Sequence, residues 1–450
     1  MTGSVRSAEP TGKLADIIAA VGEPYFRDDA VVIYNSDCRD ILPKMPQVDA
    51  IVTDPPYGLE FMGKEWDRLA MPNPGNIGGF ADGNKPSFER VRRHLPAMQA
   101  WHHAWAVEAL RVLKPGGHLL AFGGTRTHHR LMCALEDAGF EIRDTLMWLY
   151  GSGFPKSLNL DGEWEGWGTA LKPAWEPIVL ARKPLTGTVE ANVQAHGTGA
   201  LNVDGCRLPT DDNLDGGSYS GGGNPTGLPG DTRDFKGAGM FAEGGGRLPG
   251  QYVPPAGRWP ANVVLDEEAA AMLDAQSGER KAGGKVQGTE PSHTGDNGIY
   301  GTWERVENSP YGDSGGASRF FYCAKASREE REAGVGGEPV RRSDGREKDI
   351  ENPRLRTSPR RNAHPTVKPV ALMRWLVRLV TPPGGLIVDP FIGSGTTAVA
   401  AVHEGFRCIG IDNNAEYLAT AQERVERANL EREHGPEGAD AVEDGQGVLL

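Results

Sequence analysis

Short apolar runs and amphipathic stretches alternate in two separate parts of the chain. Near the N-terminus, 30–34 (AVVIY) and 48–53 (VDAIVT) are apolar runs closed by polar or proline punctuation, and they predict buried strands. Met98, Trp101, Trp105, Ala109 and Val112 recur at three- and four-residue steps, which predicts a helix with one apolar face. Lys114-Pro115-Gly116-Gly117 stops that helix. A strand over 118–122, a helix over 127–138 and a strand over 140–150 follow. The same grammar returns near the C-terminus, with an amphipathic 370–380, a strand over 386–388 and a glycine-bearing turn over 389–395. An alanine-rich helix over 396–404 and a strand over 407–411, closed by Asp412, complete it. Strands spaced by helices predict an α/β fold, a doubly wound and mostly parallel sheet with helices on both faces. One sheet assembled from both ends is the economical arrangement.

Between the two patterned parts lies sequence of another kind. The chain of 450 residues holds 61 glycines, and 211–250 is about one-third glycine without a fixed period. Such a stretch cannot bury enough surface to offset its backbone entropy, so a long irregular loop is expected there. The net charge of −13 does not exclude a nucleic-acid partner, because phosphate binding depends on a local basic patch. Acid is concentrated in 431–444, whereas 341–362 is rich in arginine. Five scattered cysteines without a C-x-x-C pair argue against a disulfide framework and a structural zinc. No apolar run reaches the roughly 18 residues of a membrane span, and the first residues carry no secretion-signal pattern, so a cytoplasmic location is expected.

Two motifs carry the candidate chemistry. In LIVDPFIGSGTTAVAA, Gly393 and Gly395 bracket a turn from strand to helix, where a backbone can approach a ligand closely. Asp412 follows about twenty residues on, at the end of the next strand, where an acidic side chain can bind ribose hydroxyls. A G-x-G pair alone is as readily a structural turn; no G-x-x-x-x-G-K-[ST] is present, and the third glycine of a dinucleotide fingerprint is missing. The second motif is Asp54-Pro55-Pro56-Tyr57, at the carboxyl end of a predicted strand. The prolines fix φ and withhold donors while leaving carbonyls as acceptors. A carboxylate and a proline carbonyl beside an aromatic face suit a planar group bearing an NH₂; a plain Pro-Pro turn would need neither Asp54 nor Tyr57.

Asp54-Pro55-Pro56-Tyr57 together with Asp389-Pro390-Phe391-Ile392-Gly393-Ser394-Gly395-Thr396 resembles the amino-methyltransferases of DNA. The order, acceptor motif before cofactor motif, resembles their beta class, a circular permutation, and His364-Pro365-Thr366-Val367-Lys368-Pro369 resembles the segment preceding the cofactor strand there. The resemblance covers roughly residues 30–185 and 318–428. It implies methyl transfer from S-adenosylmethionine to the exocyclic N6 of adenine in duplex DNA, with N4 of cytosine and a catalytically inactive DNA-binding module as alternatives. A methylase acting on RNA or on a protein glutamine is disfavoured by the motif order.

The resemblance also implies roles. Tyr57 would stack on a flipped base, while Asp54 and the carbonyl of Pro55, held rigid by Pro56, would accept the amine hydrogens. Phe391 and the Gly393–Gly395 amides would line the cofactor pocket together with Asp389, Ser394 and Thr396. Asp412 would hold the ribose, Asp37 would lie near the adenine ring, and His364, Thr366 and Lys368 would lie near the methionine end. No metal is implied. The expected division is an N-terminal extension (1–29), a catalytic half (30–185), a glycine-rich insertion that reads the target (186–317), a cofactor-binding half (318–428) and an acidic flexible tail (429–450). A cognate restriction nuclease is a candidate partner, and monomer and homodimer both remain open. The adenine preference rests on an aspartate at position 54, commoner in the resembling adenine enzymes. His102-His103 and His128-His129 read as solvated helix faces, Trp164, Trp167 and Trp175 as packing residues, Cys323 as a buried strand residue, and 151–155 as a loop at the pocket edge.

Overall fold

Apolar runs that lack alternation are the mark of strands covered on both faces, and the runs at 48–53 and 386–389 are buried at every position. The structure, a computed structural model, describes residues 13–57, 88–151, 153, 157–210, 255–281, 314–324, 335 and 367–443. The chain divides into two compact units. The first comprises 1–205, 262–269 and 323–450, and the second 206–261 and 270–322.

Helix α1 (Lys13–Val21) is followed by a small antiparallel pair, β1 (Phe26–Arg27) and β2 (Val31–Asn35), then by α2 (Cys38–Ile41) and β3 (Val48–Thr53). Next come α3 (Phe88–Val112), β4 (Leu113–Phe122), α4 (His128–Asp137), β5 (Glu141–Leu149), β6 (Trp175–Arg182) and α5 (Val189–His196). Later in the chain stand β7 (Val263–Asp266), α6 (Glu267–Ser277), β8 (Arg280–Lys281), β9 (Ser314–Gly315) and β10 (Tyr322–Ala324). The chain closes with α7 (Val370–Val380), β11 (Leu386–Asp389), α8 (Thr396–His403), β12 (Arg407–Asp412) and α9 (Ala415–Glu443), the last interrupted at Gly435.

Ten strands form one sheet in the order β1-β2-β12-β11-β3-β4-β6-β5-β7-β10. The five from β2 to β4 are mutually parallel, and β6 runs antiparallel between β4 and β5. The central strand β11 comes from the end of the chain, so the sheet is assembled from both ends. The crossover through α3 leads from β3 toward one edge, and that through α8 leads from β11 toward the other. Winding reverses at the β11/β3 seam, and in open α/β sheets ligands bind there, outside the carboxyl ends.

One core cluster joins α1, α2, α3 and α4 to the sheet through residues such as Ile17, Leu42, Trp105, Leu131 and Ile51. Apolar positions of α7, α8 and α9 are also buried, so helices flank the sheet as its alternating pattern requires.

The division of the chain differs from the expected one. The stretch 1–29 is not merely an extension, since α1 buries Leu14 and Ile17 and its Lys13 reaches Asp49 at 2.9 Å. Asp49 lies inside β3, 2% exposed on its side chain, and is neutralised there by Lys13 and Lys114 while accepting from the Leu386 amide. Residues 186–205 belong to the first unit, where buried Asn192 of α5 bonds the Pro115 and Thr198 carbonyls. Residues 262–269 also return to the first unit, because β7 pairs with β5. The expected flexible tail carries α9 through Glu443, with Asn429 donating to Asp28 at 2.8 Å. In the second unit, β8 pairs with β9, and Arg258 and Arg319 both lie over the Phe320 ring. The glycine-rich 211–250 and the arginine-rich 341–362 lie outside the described residues.

Candidate functional site

The register Ile387↔Ala50 and Val388↔Ile51 sets the carboxyl ends of β11 and β3 side by side. The two sequence motifs therefore open into one cavity of about 860 Å³. Its wall includes Asp54, Pro55, Pro56 and Tyr57 after β3, Asp389 to Ser394 and Thr396 after β11, Asp412 after β12, and Asp37 after β2. Lys368 completes the set. Of the candidate catalytic and cofactor-binding residues, Gly395 alone among the described ones is missing from this wall; Gly151 and Gly153 of the expected pocket-edge loop are missing from it too. His364 and Thr366 lie outside the described residues, as do Ser152, Phe154 and Pro155.

Asp54 is held from both sides. Its Oδ2 accepts from Lys368 Nζ at 2.6 Å, and its Oδ1 accepts from the Tyr57 hydroxyl at 2.9 Å. The same hydroxyl stands 3.3 Å from Glu176 Oε2, and Lys368 Nζ lies 3.4 Å from that oxygen. Burial, with the negative charges of Asp54 and Glu176, pushes the Tyr57 phenol well above its ordinary pKa. Burial alone would lower the Lys368 ammonium, but the two carboxylates outweigh it and hold its pKa above the ordinary value. Tyr57 is steadied from below by Thr127, whose hydroxyl donates to the Tyr57 carbonyl at 3.0 Å. A Cβ on Gly124 would meet the Tyr57 ring at 3.3 Å, so the glycine lets the ring settle against the chain.

Lys368, expected near the methionine end of a cofactor, lines the cavity and is paired there with Asp54 and Glu176, because a nearly buried ammonium needs carboxylate partners.

The turn after β11 is built on internal bonds. Asp389 is 2% exposed and accepts from Thr53 Oγ1 at 2.6 Å, Thr397 Oγ1 at 2.5 Å and the Phe391 amide at 3.0 Å. Burial pushes its carboxyl up to about 7, against the pull of these three donors. The Gly393 and Gly395 amides do not face the cavity as free donors. The first donates to Asp412 Oδ2 at 3.0 Å and the second to the Ile392 carbonyl at 2.9 Å, as a tight turn demands. Gly395 has φ +82°, and a Cβ there would stand 2.9 Å from Ala421 Cα of α9. It is a packing glycine, which corrects its expected place at the ligand. Arg424 of α9 donates to the Ser394 carbonyl at 2.7 Å and to Thr396 Oγ1 at 2.9 Å, tying both residues to that helix.

At the other end of the cavity, Asp412 also accepts from the Asn414 amide at 2.8 Å. Burial raises its pKa although backbone donors oppose the shift. Asp37 caps α2 and is gripped by Arg39 at 2.9 and 2.6 Å, and this guanidinium holds its carboxyl below the usual range. The Arg39 guanidinium lies 5.9 Å from the Trp101 ring, whose centroid is 5.6 Å from that of Phe391. Trp101 Nε1 is buried without a hydrogen-bond partner. Two rings and an enclosed carboxylate suit a nucleoside with a ribose and a planar base.

Several residues were missed in the sequence. Glu176 sits at the head of β6, a strand not anticipated because Pro177 interrupts its apolar run; a carboxylate opening such a run was the available signal. Trp101 reads as a core residue of α3 yet lines the cavity, as do Tyr150 and Trp175. His102, expected on a solvated face, is buried and accepts from Trp105 Nε1 at 3.1 Å, and burial lowers its pKa to about 3. Trp164 and Trp167, expected to pack, are 56% and 62% exposed and touch edge to face at 5.4 Å. Among the described residues no helix is long and apolar enough to cross a membrane, and no group of three His, Cys, Asp or Glu is placed to hold a metal.

Known proteins resemble this chain. The type II methyltransferase M.HindIII of Haemophilus influenzae is 30% identical over 200 residues, covering 38% of this chain and 64% of that protein. The DNA adenine methyltransferase YhdJ of Escherichia coli is 39% identical over 66 residues, 15% of this chain and 22% of that one. The chain thus matches less than two thirds of the length of these relatives. Among solved structures, the PvuII DNA methyltransferase (cytosine-N4-specific) aligns with a TM-score of 0.42 at 12% identity, covering 94% of this chain and 96% of that one. A family model described as DNA methylase, of the N6/N4 type, matches residues 48–220 and 252–423 and so takes in both motifs and most of the sheet. With more than half of its length matched by that model, this chain belongs to the N6/N4 DNA methylase family.

Proposed function

We propose that the protein is a site-specific methyltransferase acting on the exocyclic N6 of adenine in duplex DNA, with S-adenosylmethionine as methyl donor. The observation that carries this reading is the meeting of Asp54-Pro55-Pro56-Tyr57 and the 389–396 turn on neighbouring strand ends around one cavity. Asp412, Trp101 and Phe391 would hold the nucleoside part of the donor, with Asp37 and Arg39 beside them. When bound, that donor supplies an electrophilic methyl group on a sulfonium. The chain's own residues do the rest by placing the amine.

An adenine amine is paired inside the duplex, so the base must leave the stack to reach Asp54. The Tyr57 ring offers the flipped base a face, and stacking of this kind is worth roughly 1–3 kcal/mol. Asp54 and the Pro55 carbonyl accept the two amine hydrogens, which turns the nitrogen lone pair toward the incoming carbon. Positive charge grows on nitrogen during transfer, and the Asp54 carboxylate stabilises it in a site already organised for that charge. The proton released from nitrogen has Asp54 as its nearest acceptor. The middle of the chain, 206–261 and 270–322, is the candidate target-reading region, and a cognate restriction nuclease fits a site-specific activity. Asp54 in the acceptor motif and the larger stacking area of a purine favour adenine over cytosine.

The test is to methylate duplex DNA, digest it to nucleosides and separate these by mass. N6-methyladenine is expected. N4-methylcytosine as sole product would move the substrate to cytosine, and no methylated nucleoside despite donor binding would leave a DNA-binding module.

A further inference from the structure

Each oxygen of the acceptor carboxylate already holds a donor before any base arrives. Asp54 Oδ2 holds Lys368 Nζ at 2.6 Å and Oδ1 holds the Tyr57 hydroxyl at 2.9 Å. An incoming amine must therefore share or displace one of these donors. Lys368 is poorly placed to leave, since it is 7% exposed and also faces Glu176 at 3.4 Å. It further lies 4.8 Å from the Phe122 ring centroid, a packed apolar neighbour. The Tyr57 hydroxyl, by contrast, has a second acceptor already in reach, Glu176 Oε2 at 3.3 Å. A phenol has one hydrogen to donate, so when it turns to Glu176 it releases Asp54 Oδ1.

Charge points the same way. An ammonium beside the reacting nitrogen would oppose the positive charge growing there if Asp54 were its only counterion. With two carboxylates around one ammonium, the cluster keeps one net negative charge.

We propose that Glu176 and Lys368 are positioning residues for the amine acceptor: Lys368 fixes Asp54 through Oδ2, and Glu176 takes over the Tyr57 hydroxyl so that Oδ1 can receive the amine. This rests on Asp54 being the amine acceptor. It also assigns Tyr57 two tasks, a ring that stacks and a hydroxyl that caps the acceptor until a base arrives.

The test is a double-mutant cycle on kcat and on KM for DNA, with the dissociation constant of S-adenosylmethionine and the circular dichroism spectrum as folding controls. Glu176→Leu should lower kcat by about 10- to 100-fold, the range of a lost charge-assisted hydrogen bond, with donor affinity unchanged. In the Tyr57→Phe background there is no hydroxyl to reseat, so the same substitution should cost at least about fivefold less. An equal loss of kcat in both backgrounds overturns the proposal. Should Glu176→Leu fail to fold, Glu176→Met, which keeps the length and removes the carboxylate acceptor, reads the same cycle. Lys368→Arg should recover part of the kcat lost in Lys368→Met, and equal losses in both would contradict the role given to Lys368. Asp54→Asn separates the two levels. Transfer that survives it removes the amine-acceptor reading itself, whereas an inactive Asp54→Asn with an additive cycle removes only the positioning roles.

Discussion

Two aspartate–proline turns stand on adjacent parallel strands, and the fold uses them in opposite ways. Asp54 follows β3, is 21% exposed on its side chain and faces the cavity in the grip of Lys368 and Tyr57. Asp389 ends β11, is 2% exposed and spends both oxygens on Thr53, Thr397 and the Phe391 amide. Thr53 links them in sequence and space, directly preceding Asp54 and donating to Asp389. The same dipeptide thus gives a chemical carboxylate at one strand end and an architectural one at the next. What differs is the number of internal donors each meets and its access to the cavity, not the residue.

The largest effect should come from the exposed member. Asp54→Ala should lower kcat by about 10²- to 10³-fold, the size expected when one preorganised charge-stabilising group is removed. Donor affinity, read by calorimetry, should stay near wild type, while the thermal midpoint should fall because buried Lys368 keeps only Glu176 as a carboxylate partner. The buried member should behave in reverse. Asp389→Ala leaves two hydroxyls and an amide without their acceptor and should cost about 3 kcal/mol of stability, a midpoint lower by on the order of 10 °C. If the two substitutions gave the same pattern, the contrast between the turns would be lost.

Acidity sharpens the contrast. Burial raises the Asp389 carboxyl from 3.8 to about 7, so the fold favours its neutral form. Its contribution to stability is present in full below about pH 4 and is lost as pH rises through about 7. Compared with Asp389→Asn, which does not titrate, wild-type stability should therefore decline across that window in denaturant titrations. A difference that stays flat with pH would mean that Asp389 is ionised throughout.

Smaller effects test the walls. Gly395→Ala places a Cβ at positive φ against the α9 backbone and should destabilise by about 2 kcal/mol. If the glycine served the ligand instead, donor affinity would fall while stability held. Trp101→Ala removes the ring that lines the cavity beside Phe391. The dissociation constant of S-adenosylmethionine should rise by about 2- to 10-fold, the size of one aromatic contact, and an unchanged constant would place the donor away from Trp101.

Much of this was legible in the sequence where local signals were strong. The apolar runs at 48–53 and 386–388 fall within real strands. The helix does end just before Lys114-Pro115, although 114–117 itself lies in β4 and not in a turn. Side-chain partnership was not legible, because it depends on contacts hundreds of residues apart. Lys368 carries no local sign that its ammonium meets Asp54, 314 positions away. Glu176 was hidden for a related reason, since Pro177 obscured the strand that delivers it. The two glycines part ways. Gly393 lines the cavity while its amide donates to Asp412, and Gly395 packs against α9.

The central claim is that Asp54 performs chemistry while Asp389 builds the turn. It is tested most directly by single-turnover methyl transfer at saturating S-adenosylmethionine, comparing Asp54→Asn with Asp389→Asn on the same duplex. Asp54→Asn should slow the transfer step by about 10²-fold or more with the donor still bound, and Asp389→Asn should retain most of the rate. A wild-type rate in Asp54→Asn, or loss of transfer in a folded, donor-bound Asp389→Asn, would overturn this assignment.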